Sequence, residues 1–209
     1  MINVMIVEDQ KMIRGLLEIY VNSDTRYHLV QSIANAAEAP KYCRYTPVDI
    51  ILMDVMTENG ESGLDAAVVI KKEFPKIKIV IVTSLLDERI LTRAREIGAD
   101  SLWYKDVSPE ELMDVVERTL DGEQVFPDQT PKVPIGYTDN HAFTKKEKEV
   151  LTYLVKGMSY PQIASCMGVE VDAVKYHIRN MLQKTGMKNK LQLTLAVQNA
   201  KIIVPDIEL

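Results

Sequence analysis

Three carboxylates lie at the ends of two apolar segments, where they could form a site for chemistry. Glu8 and Asp9 follow the apolar residues 4–7, and Asp54 follows the mostly apolar residues 48–53. If the two segments are neighbouring parallel strands, their carboxyl ends bring the three acids to one edge of a sheet. Carboxylates placed so close repel one another, so either one takes up a proton or a divalent cation binds between them.

A hydroxyl and an ammonium group complete this set. Thr83 follows the apolar residues 78–82, and Lys105 follows residues 101–104. Acidic oxygens can hold Mg²⁺, and a bound cation screens Asp54 so that an anionic phosphoryl donor can approach its carboxylate. Lys105 can then pair with the new phosphoryl charge, and Thr83 can donate a hydrogen bond to a phosphoryl oxygen. The combination is typical of a carboxylate that accepts a phosphoryl group.

The elements that must position these residues alternate regularly. Predicted strands cover residues 3–7, 28–33, 48–53, 78–82 and 101–104, and predicted helices cover residues 11–22, 36–44, 63–73, 87–97 and 109–121. Ser108 is the predicted N-cap of the last helix, with Pro109 as its first residue. Short apolar strands that alternate with helices indicate an α/β fold, in which helices cover both faces of a parallel sheet.

This order of acids, threonine and lysine, each at a strand end, resembles the receiver domain of bacterial two-component response regulators over residues 1–124. The resemblance implies a flavodoxin-like (βα)5 fold with a five-stranded parallel sheet, and a sensor histidine kinase that phosphorylates Asp54. The implied ligands of Mg²⁺ are Glu8, Asp9, Asp54 and the backbone carbonyl of Met56. Thr83 and Lys105 would sense the phosphoryl group.

Two features depart from the receiver pattern. Residues 55–63 lack the usual Met-Pro pair and form a longer loop than is typical, and Leu102 stands where the family has an aromatic switch residue. An aspartate-nucleophile phosphohydrolase of the haloacid-dehalogenase-like type would need a second acid two residues after Asp54. Met56 occupies that position, so no turnover of an external substrate is expected. The plainest alternative is that the acids are solvated caps at the sheet edge.

Charge is distributed unevenly along the chain. Residues 1–124 contain 14 Lys and Arg against 22 Asp and Glu, a net charge of −8, whereas residues 141–209 contain 10 against 6, a net charge of +4. Residues 125–140 contain three prolines without helical or strand periodicity, which predicts a linker. Sixteen residues span roughly 20 Å as a flexible coil and about 50 Å in polyproline conformation. The basic second domain indicates a polyanionic partner.

Residues 141–209 contain the signals of several short helices. Thr144 and Glu147 have the spacing of a capping box before an apolar helical pattern, which Gly157 ends. A second predicted helix covers residues 162–167, and after a turn at Gly168 a third covers residues 172–185. Two helices joined by a short glycine turn are typical of a helix-turn-helix. The predicted DNA-contacting residues on the third helix are Lys175, Tyr176, His177, Arg179 and Lys184.

Four motifs in this region resemble the LuxR-type DNA-binding domain: TKKE from residue 144, QIA from residue 162, AVKYH from residue 173 and KTG from residue 184. Together with a receiver, the resemblance is to the response regulators of the NarL/LuxR type. It implies an all-α four-helix domain that binds promoter DNA. It also implies a last helix, residues 190–200, that dimerises through Leu191 and Leu195. A basic helical bundle with merely solvated lysines is the alternative.

The sequence thus predicts a transcriptional regulator, and not an enzyme, in which phosphorylation of Asp54 favours a homodimer that binds promoter double-stranded DNA. RNA polymerase is a further candidate partner. The alternative is an atypical regulator that binds DNA independently of phosphorylation. No export signal or stretch of about 18 uncharged apolar residues is present, so no membrane partner and a cytoplasmic location are expected. Cys43 and Cys166 are far apart and predict neither a disulfide nor a zinc site.

Overall fold

The computed structural model describes residues 1–105 and 109–204. The predicted N-cap Ser108 lies outside these residues. Residue contacts divide the chain into two compact units. The first unit contains residues 1–84 and 89–128, and the second contains residues 85–88 and the chain from Gln129 onward.

The first unit is a five-stranded parallel sheet with helices between its strands. The strands are β1 (Ile2–Val7), β2 (Tyr27–Ile33), β3 (Ile50–Met53), β4 (Lys78–Thr83) and β5 (Ser101–Tyr104). The helices are α1 (Lys11–Asn22), α2 (Ala39–Tyr45), α3 (Gly63–Glu73), α4 (Glu88–Glu96) and α5 (Pro109–Leu120), and 3-10 turns cover Ala36–Glu38 and Glu58–Gly60. The strand order is β2-β1-β3-β4-β5, which confirms the predicted flavodoxin-like α/β fold.

The sheet is buried because its strands are apolar on both faces. All residues of β3 and β5 are buried, as their continuous apolar sequences require. Trp103, the only tryptophan of the chain, lies in a core cluster with Leu17 of α1 and Leu112 of α5. Its indole ring therefore reports on the folding of the first unit.

The described part of the second unit contains four α-helices, a short hairpin and a 3-10 turn (Asn140–Ala142). The helices are α6 (Lys145–Val155), α7 (Tyr160–Met167), α8 (Val171–Thr185) and α9 (Lys190–Asn199). The predicted capping box at the start of α6 is confirmed, because the Thr144 backbone N–H donates to Glu147 Oε2 (2.7 Å) and the Glu147 N–H donates to Thr144 Oγ1 (3.3 Å). The predicted four-helix domain is also confirmed.

The sequence predicted no strand in residues 125–140, and this was wrong for four of them. β6 (Pro134–Ile135) and β7 (Thr138–Asp139) form an antiparallel pair around a tight turn. Two-residue strands are too short to produce a recognisable alternation of apolar and polar residues. Within the described ranges, no helix combines the length and apolarity needed to cross a membrane.

Candidate functional site

The carboxyl edge of the sheet brings three acidic side chains together. Glu8 and Asp9 follow β1, and Asp54 follows β3. Because β1 and β3 pair in register up to Val7 and Met53, the acids that follow these residues meet. One carboxylate oxygen from each acid lies within 4.8 Å of those of the other two. Glu8 and Asp54 are 1% and 5% exposed, whereas Asp9 is half-buried.

Lys105 binds two of these acids. Its Nζ lies 2.5 Å from Glu8 Oε2 and 2.7 Å from Asp54 Oδ2. Its backbone N–H donates to the carbonyl oxygen of Thr83 (2.9 Å), the last residue of β4. Thr83 is fully buried. The ends of β1, β3, β4 and β5 therefore bring the predicted acids, Thr83 and Lys105 to one edge.

The cluster carries more negative than positive charge. Three ionised carboxylates and one ammonium leave an excess of two negative charges. Burial raises the pKa of Asp54 to about 6, against the positive charge of Lys105, and the negative charge of Glu8 adds to the rise. Carboxylate oxygens are the ligands that Mg²⁺ prefers, together with water and phosphate oxygens. The donor set and the charge excess therefore fit a divalent cation.

The loop after Asp54 is held by Thr57. Thr57 Oγ1 accepts a hydrogen bond from the Ala36 N–H (2.9 Å) and donates one to the carbonyl of Glu61 (2.8 Å). Met56, whose carbonyl was predicted to bind Mg²⁺, lies in this loop and forms an isolated bridge with Ser62. The loop after Asp54 thus contains an ordered turn.

Gly63 allows helix α3 to approach the backbone of Asp54. Its N–H donates to the carbonyl of Val55 (2.9 Å), and a Cβ at this position would lie 1.8 Å from the carbonyl oxygen of Asp54. Sequence reasoning missed Gly63 and Thr57. For Gly63 the sequence did offer a signal, because glycine is a poor helix former and yet stands at the first position of a predicted helix.

Helix α8 presents most of the predicted DNA-contacting residues to solvent. Val174, Ile178 and Met181 face the core of the second unit. Lys175, Tyr176 and Arg179 are exposed, and His177 is half-buried. The rings of Tyr176 and His177 pack edge to face, with 5.7 Å between their centroids. Lys175 forms an exposed ion pair with Asp172 at 2.9 Å.

Lys184 has a different environment from the other predicted DNA contacts. Its Nζ donates to Glu147 Oε2 (2.7 Å) and to the carbonyl of Ala142 (3.0 Å). Glu147 is 2% exposed. Burial alone would raise the pKa of Glu147, but the hydrogen bonds from Lys184 and Thr144 outweigh it and lower the pKa. The pair joins the start of α6 to the end of α8.

Helix α9 has two exposed leucines at the predicted dimerisation positions. Leu191 and Leu195 are 64% and 49% exposed, whereas Leu193 and Val197 are buried in the second unit. The exposed pair lies one helical turn apart, so both side chains are on one face.

Two protein-family models match separate parts of this chain. Residues 4–117 match the model of the response regulator receiver domain, and residues 141–197 match that of bacterial regulatory proteins of the luxR family. The response regulator protein VraR of Staphylococcus aureus is 30% identical over 202 residues, which cover 93% of this chain and 95% of VraR.

Solved structures show the same fold. RcsB from Salmonella enterica serovar Typhimurium, bound to promoter P1flhDC in the presence of the phosphomimetic BeF3⁻, aligns with a TM-score of 0.63 at 15% identity, covering 94% of this chain and 97% of RcsB. A LuxR-family two-component response regulator from Aurantimonas sp. aligns with a TM-score of 0.56 at 28% identity, covering 59% of this chain and 87% of that one. Since the receiver model alone matches more than half of its residues, this chain belongs to the two-component response regulators, with a receiver domain followed by a LuxR-type DNA-binding domain.

Proposed function

We propose that the protein accepts a phosphoryl group on Asp54 from a sensor histidine kinase and thereby changes its dimerisation and its binding to promoter DNA. In this proposal residues 1–124 act as the receiver and residues 141–209 bind DNA, with residues 125–140 between them. Glu8, Asp9, Asp54 and the carbonyl of Met56 would hold Mg²⁺. RNA polymerase is a candidate partner of the DNA-bound dimer.

The observation that carries the proposal is the contact of Lys105 with both Glu8 and Asp54, in a cluster with two excess negative charges. A bound divalent cation would neutralise that excess and the charge of the incoming donor. An oxygen of Asp54 then forms a bond to phosphorus as the bond between phosphorus and the donor histidine breaks, and the histidine nitrogen keeps the bonding electrons.

The new phosphoryl group changes which partner Lys105 prefers. It adds a charge of about −1.5 to −2 and three strong acceptor oxygens. We expect the Lys105 ammonium to move from carboxylate oxygens to phosphoryl oxygens, and Thr83 to donate to another of them. Because the Lys105 N–H is bonded to the Thr83 carbonyl, such a shift moves the ends of β4 and β5 together.

DNA binding in this proposal depends on the exposed face of α8. Lys175 and Arg179 lie one turn apart on this helix and are exposed, as contacts with phosphates or guanine edges require. Tyr176 would pack on a sugar or a thymine methyl group, and His177 would contact the DNA backbone. Leu191 and Leu195 would pair with a second copy. RcsB shares this fold and has been solved on promoter DNA, which supports testing DNA binding directly.

The test compares wild type, Asp54→Asn and the control Asp121→Asn, whose carboxylate is exposed just after α5. The DNA probe is a duplex selected by the wild-type protein from a random-sequence pool. Acetyl phosphate with Mg²⁺ should phosphorylate wild type and the control, seen as a shifted band on a phosphate-affinity gel, and should tighten their DNA binding. Asp54→Asn should do neither. An Asp54→Asn variant that still responds fully to the phosphodonor contradicts the proposal.

A regulator that binds DNA regardless of phosphorylation is the second candidate. Leu102, at the usual aromatic switch position, is 2% exposed and pairs with Ile81 inside the sheet. A leucine offers no aromatic ring to couple Thr83 to the protein surface. This candidate predicts that wild type becomes phosphorylated while its affinity for the selected duplex stays the same.

A further inference from the structure

The segment before α6 forms an ordered strap, residues 130–140, within the second unit. Asn140 is its anchor and is 3% exposed. Its Nδ2 donates to the carbonyl of Pro131 (3.1 Å) and to Thr130 Oγ1 (3.3 Å), and its Oδ1 accepts from the Val133 N–H (2.8 Å). A buried amide with three polar partners fixes the conformation of the residues that it joins.

The turn of the strap lies against the carboxyl end of α8. The Tyr137 N–H donates to the carbonyl of Thr185 (3.1 Å), one of the last carbonyls of the helix, which have no partner within it. A Cβ on Gly136 would lie 2.0 Å from that oxygen, and a Cβ on Gly186 would lie 2.1 Å from the Tyr137 ring. Glycine on both sides is what permits this approach.

The contact lies about two to three turns along α8 from the exposed residues that were predicted to bind DNA. Thr185 is six positions from Arg179 and ten positions from Lys175, or about 9 Å and 15 Å along a helix. Gly186 ends α8, and α9, with its exposed Leu191 and Leu195, begins four residues later. The strap therefore holds the point where the chain turns from α8 into α9.

We propose that the strap positions α8 relative to α9, so that two copies of the protein can engage two half-sites of DNA at once. This inference rests on the proposed function, in which α8 binds DNA and α9 dimerises. Tyr137, Gly136 and Asn140 are then positioning residues, which affect DNA binding without touching DNA. Two linked contacts exceed single-site affinity only if the geometry allows both to form, so a disturbed strap should weaken binding to paired half-sites selectively.

The test uses the full chain with Gly136→Ala, which places a methyl group against the Thr185 carbonyl. Gly157→Ala is the matched control, because Gly157 also has a positive φ (+77°, against +63° for Gly136), but a Cβ added to it would have nothing within 4 Å. The probes are the duplex selected by the wild-type protein and the same duplex with one half-site scrambled. Binding is measured by fluorescence anisotropy at a temperature at which circular dichroism shows every variant folded.

Gly136→Ala should weaken binding to the paired half-sites by about 10-fold or more while changing single half-site binding far less. Gly157→Ala should preserve the ratio of the two affinities. If Gly136→Ala does not fold, Tyr137→Ala decides the question. Its ring lies against Gly186, where a Cβ would be 2.1 Å from it, so its removal loosens the strap, and because the residue is 88% exposed the fold should survive; the same selective loss is expected.

An unchanged affinity ratio in the folded strap variants overturns the inference, even if their melting temperature falls, because a purely structural role would leave the ratio intact. A selected duplex without repeated half-sites would overturn it as well. Wild-type protein that selects no DNA would instead contradict the proposed function itself, so the two failures are distinguishable.

Discussion

Each unit contains a lysine bound to a buried carboxylate, but the two clusters differ in charge balance. In the first unit Lys105 binds Glu8 and Asp54 beside Asp9, and the pKa of Asp54 is raised to about 6. In the second unit Lys184 binds one carboxylate, that of Glu147, whose pKa is lowered. Similar groups thus show opposite pKa shifts, because burial dominates at Asp54, where the charge of Glu8 adds to the rise against Lys105, whereas the hydrogen bonds from Lys184 and Thr144 outweigh burial at Glu147.

This difference separates a cluster suited to binding a cation and a phosphoryl group from one that holds two helices together. An excess of buried negative charge costs stability in the absence of a ligand, and binding a cation recovers that cost. A matched and hydrogen-bonded pair offers no such gain. The balance of charge, more than the presence of a lysine–carboxylate pair, therefore favours the first cluster as the proposed site of phosphorylation.

The largest effect is expected from Gly63→Ala, which disturbs the first cluster without changing its charge. The new Cβ would lie 1.8 Å from the carbonyl oxygen of Asp54, so α3 and the loop must separate. We expect a loss of about 3 kcal/mol in the free energy of unfolding, and loss of phosphorylation by acetyl phosphate. Urea unfolding followed by Trp103 fluorescence measures the first quantity. Gly15→Ala in α1, with nothing within 4 Å, is the control and should be neutral or stabilising.

Asp54→Asn should stabilise the first unit in magnesium-free buffer at pH 7. The rise in the pKa of Asp54 from 3.8 to about 6 means that its ionised form is unfavourable in the folded state. Removing that charge should add up to about 3 kcal/mol to the free energy of unfolding. Since the folded-state pKa is raised, the penalty is fully present above pH 6 and disappears below pH 4. Urea unfolding followed by Trp103 fluorescence from pH 4 to pH 7 measures the difference in the free energy of unfolding between wild type and Asp54→Asn. Asp121→Asn is the control.

Glu147→Gln should lower the free energy of unfolding of the second unit, whereas Asp54→Asn raises that of the first. It leaves Lys184 without a charged partner and weakens the cap of α6, which should cost about 2 kcal/mol. Because the folded-state pKa of Glu147 is lowered, its contribution is present above the ordinary pKa of 4.5 and is lost as the pH falls through the folded-state value. Hydrogen exchange of α6 and α8 measures the change. A destabilised Asp54→Asn or a neutral Glu147→Gln would contradict the comparison.

The sequence predicted the first cluster more completely than the second, for a physical reason. Carboxyl ends of parallel strands always meet at one edge, so the acids, Thr83 and Lys105 could be assigned to it from strand order alone. The close approach of Gly63 to Asp54 depends on the path of a loop, which no periodicity reports. The pairing of Lys184 with Glu147 joins residues 37 positions apart on different helices, and only the packed structure brings them together.

The order of the strap, residues 130–140, could not be predicted from the sequence either. Residues 125–140 lack the periodicity of regular elements, and their proline content predicted a linker. The order in residues 130–140 comes instead from one buried amide, Asn140, and from a glycine turn against α8. Such order depends on individual hydrogen bonds, which composition does not reveal.

The smallest effect on stability, and the sharpest contrast with Lys184, is expected for Lys175→Ala. Lys175 is exposed and its only described ion pair, with Asp172, is also exposed, so the unfolding midpoint should not change measurably. If Lys175 neutralises one DNA phosphate, its loss should reduce the slope of log affinity against log salt by about one unit.

Lys184→Ala should leave that slope unchanged and destabilise the second unit, because Glu147 is left buried without its partner. Salt titrations of the selected duplex, with hydrogen exchange as the stability measure, separate the two lysines. If Lys175→Ala kept the full salt slope and Lys184→Ala lost one unit without destabilisation, the assignment of one lysine to DNA and the other to helix packing would be reversed.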